Sequence, residues 1–263
     1  MPLACTNCTF AYTPGQPVVR GVSVSLEAGR MTAIIGPNAG GKTTLLRLLV
    51  GLRDASDGSV TIDDQAVAGM ASAERARRLV YVPQHSEVAF AFSTREVVTL
   101  GSFAAGRRGA EDAAARALAE VQLEDRAEAA FTTLSAGQQQ RATLARALVQ
   151  LDAWSERGAG ARYLLADEPV SAMDPRQALR SLAMVRQLAS RGIGVVCVLH
   201  DLSLVLRFAD EVVMLAAGGR VLAAGPTRET VTAERLGELY GVGFEPLRDA
   251  RGEAAAFVPT HGA

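Results

Sequence analysis

The chain has 263 residues, of which 49% are hydrophobic and 21% are charged, and its net charge at pH 7 is −1. This composition is typical of a globular protein, and the balanced charge gives no electrostatic argument for nucleic acid as a partner. No apolar run approaches the roughly 20 residues that span a bilayer. The first ten residues lack the basic and apolar segments of a secretory signal, so we expect a cytoplasmic location.

The N-terminal part predicts an antiparallel pair of strands, because residues 3–12 and 18–26 alternate apolar and polar side chains around turn residues. The first strand contains Cys5 and Cys8, a spacing compatible with a redox pair or half of a metal site. No second ligand pair follows, and residues three apart on a strand face opposite sides. We therefore expect the spacing to be incidental, and Cys197 to be a core residue within its apolar run.

A glycine-rich loop joins a short buried strand, residues 31–35, to a leucine-rich helix. Gly36, four further residues and then Gly41-Lys42-Thr43 give the spacing of a P-loop. Its backbone N–H groups would face phosphate oxygens, Lys42 would reach the β- and γ-phosphates, and the Thr43 hydroxyl would bind Mg²⁺. The predicted nucleotide-binding residues here are Gly36, Pro37, Asn38, Ala39, Gly40, Gly41, Lys42, Thr43 and Thr44. The alternative is a glycine turn that only begins a buried helix.

The middle of the chain changes from an α/β pattern to a helical one. Strands are predicted at 59–62 and 79–82, and helices at 72–78, from 93 onwards, at 110–121 and after Ser135. We therefore predict an all-helical subdomain at 86–158. It interrupts an α/β core formed by residues 1–85 and 159–263.

An acidic pair follows the buried strand predicted at 163–166. Asp167 would lie at the C-terminal edge of a parallel sheet, where it could hold Mg²⁺ through water. Glu168 would be the general base for the attacking water. The alternative is an acidic strand end that caps the next helix.

Further predictions are a helix at 176–190, a strand at 194–199 before His200, a helix at 202–209, a hairpin of 212–215 and 220–224, and a helix at 232–240; the last twenty residues are weakly patterned.

The segment 134–138, Leu-Ser-Ala-Gly-Gln, begins a helix with a small polar residue and a glycine. Such a helix start is a second anion-binding device. One phosphate group does not need two such devices from one chain, so this one is predicted to serve a nucleotide on another copy. The alternative is an ordinary N-cap with a polar first turn.

Together these motifs resemble the ATP-binding subunit of an ABC transporter, in the right order and over nearly the whole chain. They are an adenine platform at Tyr12, the Walker A loop at 36–44, the Q-loop residue Gln84, the signature at 134–138, Walker B at 164–168, the D-loop at 171–174 and the switch residue His200. The resemblance implies one ABC ATPase domain, 1–263, of α/β class. It would have a P-loop NTPase (RecA-like) core, an antiparallel β subdomain and the inserted helical subdomain.

The resemblance also implies cofactors and residue roles. ATP and Mg²⁺ would bind, with adenine stacked on Tyr12. Gln84 would approach Mg²⁺ and the attacking water, and His200 would hydrogen-bond the γ-phosphate. Two chains would form a homodimer that sandwiches two ATP molecules. The implied catalytic residues are Glu168, His200 and Gln84, the metal-binding residues are Thr43, Gln84 and Asp167, and Ser135, Gly137 and Gln138 would contact the other copy's nucleotide.

Three positions depart from the usual family pattern. Ala39 and Ala136 stand where glycine is common, and Met173 stands where leucine is usual. If position 39 needs a positive φ, alanine costs about 1 kcal/mol or more there. No chemical group is lost, so we expect activity to survive and ATP affinity to be affected.

Local features resemble the ATPases of importers for iron chelates, haem and vitamin B12. They are the segment 83–98, which includes Phe90, the segment 151–162, which includes Trp154, and the segment 234–242. The last two resemble the haem (hemin) importer subgroup. The resemblance implies a peripheral subunit on the cytoplasmic face of the bacterial inner membrane. Its partners would be two integral-membrane permease subunits, one docking at residues 86–103, and a periplasmic or lipoprotein substrate-binding protein.

Other functions remain open. Ferric siderophore or vitamin B12 import would use the same subunit. A soluble ABC ATPase acting on DNA or ribosomes usually has long coiled-coil insertions or two ATPase halves, which this sequence lacks. A regulatory ATPase that barely hydrolyses ATP has only Ala39 in its favour, and Glu168 argues against it.

Overall fold

The computed structural model describes residues 2–85, 91–105, 109–153 and 160–260. The strands in these ranges are β1 (Leu3–Thr13), β2 (Gln16–Leu26), β3 (Met31–Ile35), β4 (Asp57–Ile62), β5 (Gln65–Ala66), β6 (Leu79–Val82), β7 (Tyr163–Asp167), β8 (Gly194–Val198), β9 (Glu211–Leu215), β10 (Val221–Pro226), β11 (Gly243–Arg248) and β12 (Ala254–Thr260). The α-helices are α1 (Lys42–Leu49), α2 (Ser72–Arg78), α3 (Thr94–Thr99), α4 (Ala110–Glu120), α5 (Ala136–Asp152), α6 (Pro175–Ser190), α7 (Leu202–Phe208), α8 (Thr227–Thr230) and α9 (Ala233–Tyr240). Short 3₁₀ helices cover Leu100–Ala105, Glu124–Arg126 and Phe131–Thr133.

The central sheet has six strands in the order β10-β9-β3-β8-β7-β6. Its strands are parallel except β10, which pairs antiparallel with β9. Every residue of β3, β7 and β8 is buried, which explains why their sequences are apolar apart from Thr32 and Asp167. The C-terminal ends of these three strands bring the P-loop, the acidic pair and His200 to one edge of the sheet.

An antiparallel sheet, β2-β1-β4-β5, lies on the other side of α1. Leu45, Leu46, Leu48 and Leu49 of α1 are all buried in the core shared by the two sheets. A helix covered on both sides needs apolar residues around most of its circumference, so the run of leucines is explained.

Regular structure in the described parts of 86–158 is helical, with α5 packed against α3, α4 and β6. Ser93 caps α3 in a reciprocal capping box with Glu96, as the sequence predicts for a helix start. Residues 86–90 and 154–159, which include Phe90 and Trp154, lie outside the described residues. Among the helices that are described, none is long and apolar enough to cross a bilayer.

The expectation that Cys5 and Cys8 face opposite sides is wrong. Asn7 adopts a left-handed φ of 50°, and the pairing of β1 with β2 shifts register between the two cysteines. This bulge turns both thiols into the same core, where Cys5 donates a hydrogen bond to the carbonyl of Val22 and Cys8 to that of Ser59. Both thiols are free, as is the buried Cys197.

The weakly patterned C-terminus forms a hairpin, β11–β12, that the sequence did not predict. Phe244 and Phe257 pack against the main core, and β12 contacts α7. The two strands contain Pro246, Pro259 and three consecutive alanines, so they lack the β-branched alternation of a typical strand pair. Packing against the rest of the protein, rather than local propensity, stabilises this hairpin.

Candidate functional site

A cleft of about 710 Å³ lies at the C-terminal edge of the central sheet. Its lining consists of Val18, Asn38, Ala39, Gly40, Gly41, Lys42, Thr43, Thr44, Gln84, Glu168 and His200. The P-loop, Gln84, Glu168 and His200, which lie far apart along the chain, therefore meet in one cavity.

The glycine-rich loop has the backbone conformation that its sequence predicts. Gly41 has a φ of 90°, and a Cβ atom there would lie 2.6 Å from the carbonyl oxygen of Val18, so only glycine fits. Helix α1 begins at the next residue, and its N-terminus faces the cleft. Ala39 has a φ of 60°, so this alanine occupies the left-handed region that favours glycine.

The ammonium group of Lys42 is held inside the loop. Its Nζ donates hydrogen bonds to the carbonyl oxygens of Gly36 at 2.9 Å and Pro37 at 2.8 Å. Burial lowers the pKa of Lys42, and the nearby carboxylates of Glu168 and Asp167 oppose this shift. The side chain is therefore a positioned cation at the end of the cleft where phosphates would bind.

Asp167 is 2% exposed, and its Oδ1 atom has no hydrogen-bond partner among the described residues. Burial raises the pKa of Asp167, a hydrogen bond with Thr43 lowers it, and the charge of Glu168 raises it. An unpaired buried carboxylate oxygen beside a hydroxyl group fits Mg²⁺, which prefers oxygen ligands. No group of three His, Cys, Asp or Glu in the described ranges could hold a metal. Phosphate oxygens and water would therefore have to complete the coordination.

The three predicted catalytic side chains form one hydrogen-bonded group. Glu168 Oε2 accepts a hydrogen bond from Gln84 Nε2 at 2.7 Å, and Glu168 Oε1 lies 2.6 Å from His200 Nε2. Glu168 also has a φ of 48°, which is unusual for a residue with a side chain. The turn directly after β7 thus aims this carboxylate at both partners.

Tyr12 lies near the end of β1 and is 51% exposed. Its ring packs edge-on against Phe10 with centroids 4.9 Å apart. Its hydroxyl lies 3.4 Å from Thr44 Oγ1 and 3.4 Å from Arg47 Nη1. An exposed ring at the rim of the phosphate loop is suitably placed to stack on a base.

The signature residues do not line this cleft. Ser135 caps α5, its Oγ accepting from the N–H of Gln138 at 3.3 Å while Gln138 Oε1 accepts from the N–H of Ser135 at 2.9 Å. The N-cap that the sequence offered as an alternative is therefore present. Ser135 is exposed, so the same helix start is also accessible to a second molecule.

Two polar side chains near the site were not predicted. Tyr81 Oη is buried without a hydrogen-bond partner among the described residues, and burial together with the charge of Asp167 raises its pKa. Gln140 is buried in the second turn of α5 and contacts the segment after β7. The sequence predicts the helix that carries Gln140, but nothing local in the sequence identifies the contacts of either side chain.

A parallel sheet with a P-loop after β3 and an acidic pair after β7 defines a nucleotide-binding protein of the P-loop class. The chain matches the ABC transporter family over residues 19–171 and belongs to that family. The family and the fold class predicted from the sequence are therefore confirmed.

Among similar proteins, the hemin import ATP-binding protein HmuV of Agrobacterium fabrum (strain C58) is 39% identical over 237 residues, which cover 90% of each chain. That of Bradyrhizobium diazoefficiens is 42% identical over 225 residues, covering 84% of this chain and 82% of the relative.

Two solved structures are also similar. An inward-facing ABC transporter assigned to the metal-chelate type superposes with a TM-score of 0.80 at 25% identity, covering 99% of this chain and 98% of the other. The dimeric post-hydrolysis structure of the ATP-binding cassette MJ0796, bound to ADP and Pi, superposes with a TM-score of 0.76 at 25% identity. It covers 86% of this chain and 99% of the other.

Proposed function

We propose that this chain is the ATP-hydrolysing subunit of an ABC importer for haem, acting as a homodimer on the cytoplasmic face of the bacterial inner membrane. The observation that carries the enzymatic part is the convergence of Lys42, Gln84, Glu168 and His200 on one cleft, with the charge of Asp167 close enough to Lys42 to act on its pKa. The relatives named as hemin import proteins support the substrate. The similar metal-chelate transporter keeps ferric siderophore import as a second candidate.

The loop residues would hold the triphosphate of ATP. Backbone N–H groups of the loop and the N-terminus of α1 supply fixed positive dipoles, and Lys42 supplies a full charge. Thr43, Asp167 and Gln84 would hold Mg²⁺, which when bound neutralises phosphate charge as the γ-phosphate leaves. The unpaired Oδ1 of Asp167 supports this assignment.

Glu168 would act as the general base for the attacking water. Because Gln84 and His200 bind its two carboxylate oxygens, they fix its orientation toward the cleft. The imidazole of His200 is 2.6 Å from this carboxylate and lines the same cleft, where it would be available to hydrogen-bond the γ-phosphate. A positioned base of this kind typically contributes about 10²–10⁴-fold to a rate.

A second copy would complete each nucleotide site. Ser135, Gly137 and Gln138 lie outside the cleft of their own chain, which supports their use on the nucleotide of the partner. The solved dimer of a similar cassette is consistent with this arrangement.

The membrane subunits would dock on the helical part. Leu100 and Phe103 are three residues apart in a 3₁₀ helix and so lie on the same side, and Phe103 is 71% exposed. An exposed aromatic ring of this kind fits a protein partner. Two permease subunits, and a periplasmic or lipoprotein binding protein that delivers haem to them, complete the proposed assembly.

Two separate experiments test the ATPase activity and the identity of the imported substrate. Purified chain should hydrolyse ATP only with Mg²⁺, and a strain lacking the gene should lose growth on haem as its iron source while keeping growth on a ferric siderophore. The wild-type gene should restore growth, and the Glu168→Gln variant should not. If growth on the siderophore or uptake of vitamin B12 is lost instead, the haem assignment is wrong.

A further inference from the structure

The side chain of Gln140 joins the signature helix to the segment that carries Glu168. Its Nε2 donates to the carbonyl oxygen of Glu168 at 3.2 Å and to Ser171 Oγ at 3.0 Å. Its Oε1 accepts from the N–H of Ala172 at 3.0 Å. Gln140 is 9% exposed, so the amide uses both ends within the protein rather than on water.

The segment that Gln140 binds needs support. Glu168 has a left-handed φ of 48°, and regular helix does not resume until Pro175. The carbonyl oxygen of Glu168 also accepts from the N–H of Ser171 at 3.3 Å and from Ser171 Oγ at 3.2 Å. A non-glycine residue keeps a left-handed backbone conformation only when surrounding contacts stabilise it. The direction of the Glu168 carboxylate therefore depends on these hydrogen bonds.

Gly137 brings the two segments into direct contact. A Cβ atom at this position would lie 2.7 Å from the carbonyl oxygen of Ala172, so the first turn of α5 packs on the backbone of the 168–174 segment. The same turn begins at Ser135, which is exposed. One surface of this helix thus holds the D-loop of its own chain, while its N-terminal cap remains accessible.

We propose that Gln140 is a positioning residue that ties the placement of the signature helix to the orientation of Glu168 in the same chain. The proposal rests on ATP hydrolysis by a homodimer as the function. When Ser135 and Gly137 contact the nucleotide of the partner, the position of α5 is fixed. The hydrogen bonds of Gln140 then hold residues 168–172 in a fixed position relative to α5. Binding at one nucleotide site would thereby arrange the base of the other site. Gln140 itself contacts no nucleotide.

The test replaces Gln140 with methionine, which has similar length and no hydrogen-bonding amide. We expect kcat to fall on the order of tenfold to hundredfold, because a misplaced catalytic group costs about that much. The KM for MgATP and its directly measured Kd should stay within about twofold, because no nucleotide contact is removed. Gln150→Met is the matched control. It lies on the same helix and donates one hydrogen bond to the carbonyl of Ala76 at 2.9 Å, so its kcat should remain near that of the wild type.

Hydrogen–deuterium exchange gives a second readout. Amides of residues 168–173 should exchange faster in Gln140→Met than in the wild type and in Gln150→Met, because Ala172 N–H loses its acceptor. If Gln140→Met does not fold, Ser171→Ala removes one acceptor of Gln140 from an exposed position. Ser171→Ala should also lower kcat, by a smaller factor than Gln140→Met.

Several outcomes would overturn the role of Gln140. These are a folded Gln140→Met variant with wild-type kcat, a loss confined to KM, or unchanged exchange at 168–173. If the wild type itself hydrolyses no ATP, the proposed function fails. The exchange comparison would still decide whether Gln140 holds the segment.

Discussion

Glu168 Oε1 lies 2.6 Å from Nε2 of His200, although the two residues follow different strands of the central sheet. The other carboxylate oxygen of Glu168 accepts from Gln84 Nε2 at 2.7 Å. The proposed base is therefore held between the two residues that the family resemblance assigns to sensing the γ-phosphate and Mg²⁺. A nucleotide that recruits His200 and Gln84 would change the environment of Glu168 at the same time.

Glu168→Gln should stop turnover without preventing ATP binding. Glutamine keeps the shape of the side chain, and its amide oxygen can still accept from one of the two partners, but it accepts protons poorly, so the loss in kcat should be about 10²–10⁴-fold. Bound ATP should then accumulate in a stable dimer, measurable by size-exclusion chromatography with MgATP. Lys42→Ala, which loses the loop cation, is the control and should not dimerise. Normal hydrolysis by Glu168→Gln would remove Glu168 from the role of base.

Tyr12→Ala should weaken MgATP binding with little effect on stability, because the side chain is half exposed. Base–aromatic stacking contributes about 1–3 kcal/mol, so Kd should rise by roughly fivefold to a hundredfold or more. Tyr12→Phe is the matched control: it keeps the ring and loses only hydroxyl contacts at 3.4 Å, so its Kd should be close to that of the wild type. An unchanged Kd in Tyr12→Ala would exclude this residue from the adenine site.

Replacing each of the two unusual alanines, Ala39 and Ala136, with glycine should change stability in opposite directions. Ala39 has a φ of 60°, so Ala39→Gly removes backbone strain and should stabilise the folded loop by up to about 1 kcal/mol. Ala136 is the first residue of α5, where glycine costs up to about 1 kcal/mol of helix stability. Urea denaturation of both variants tests this, and Ala39→Gly should also bind MgATP more tightly. Equal effects of the same sign would contradict the assigned backbone conformations.

The parts of this protein that sequence could predict are those with a local physical signature. The buried strands β3, β7 and β8 appear as short segments of mostly apolar residues, and the P-loop appears as glycines at fixed spacing. The left-handed Asn7 has no such signature, so the bulge that brings Cys5 and Cys8 together was missed. In the same way, the hairpin β11–β12 and the contacts of Gln140 depend on distant segments and leave no pattern of their own.

Asp167→Asn should make the nucleotide-free chain more stable and remove its response to Mg²⁺. The wild-type carboxylate is 2% exposed with one oxygen unpaired, and burying a charge without full pairing costs free energy that a neutral amide avoids. We expect an increase in unfolding free energy of about 1 kcal/mol, measured by thermal and urea denaturation without nucleotide.

ATP should stabilise the wild type more with Mg²⁺ than with a chelator, and this difference should disappear in Asp167→Asn. Asp174→Asn is the control, because Asp174 is an exposed N-cap of α6 whose side chain already accepts from the N–H of Gln177. That variant should keep the Mg²⁺ response. A lower unfolding free energy in Asp167→Asn would mean that the carboxylate stabilises the folded state, which contradicts this prediction. A retained Mg²⁺ response would place the metal on other ligands.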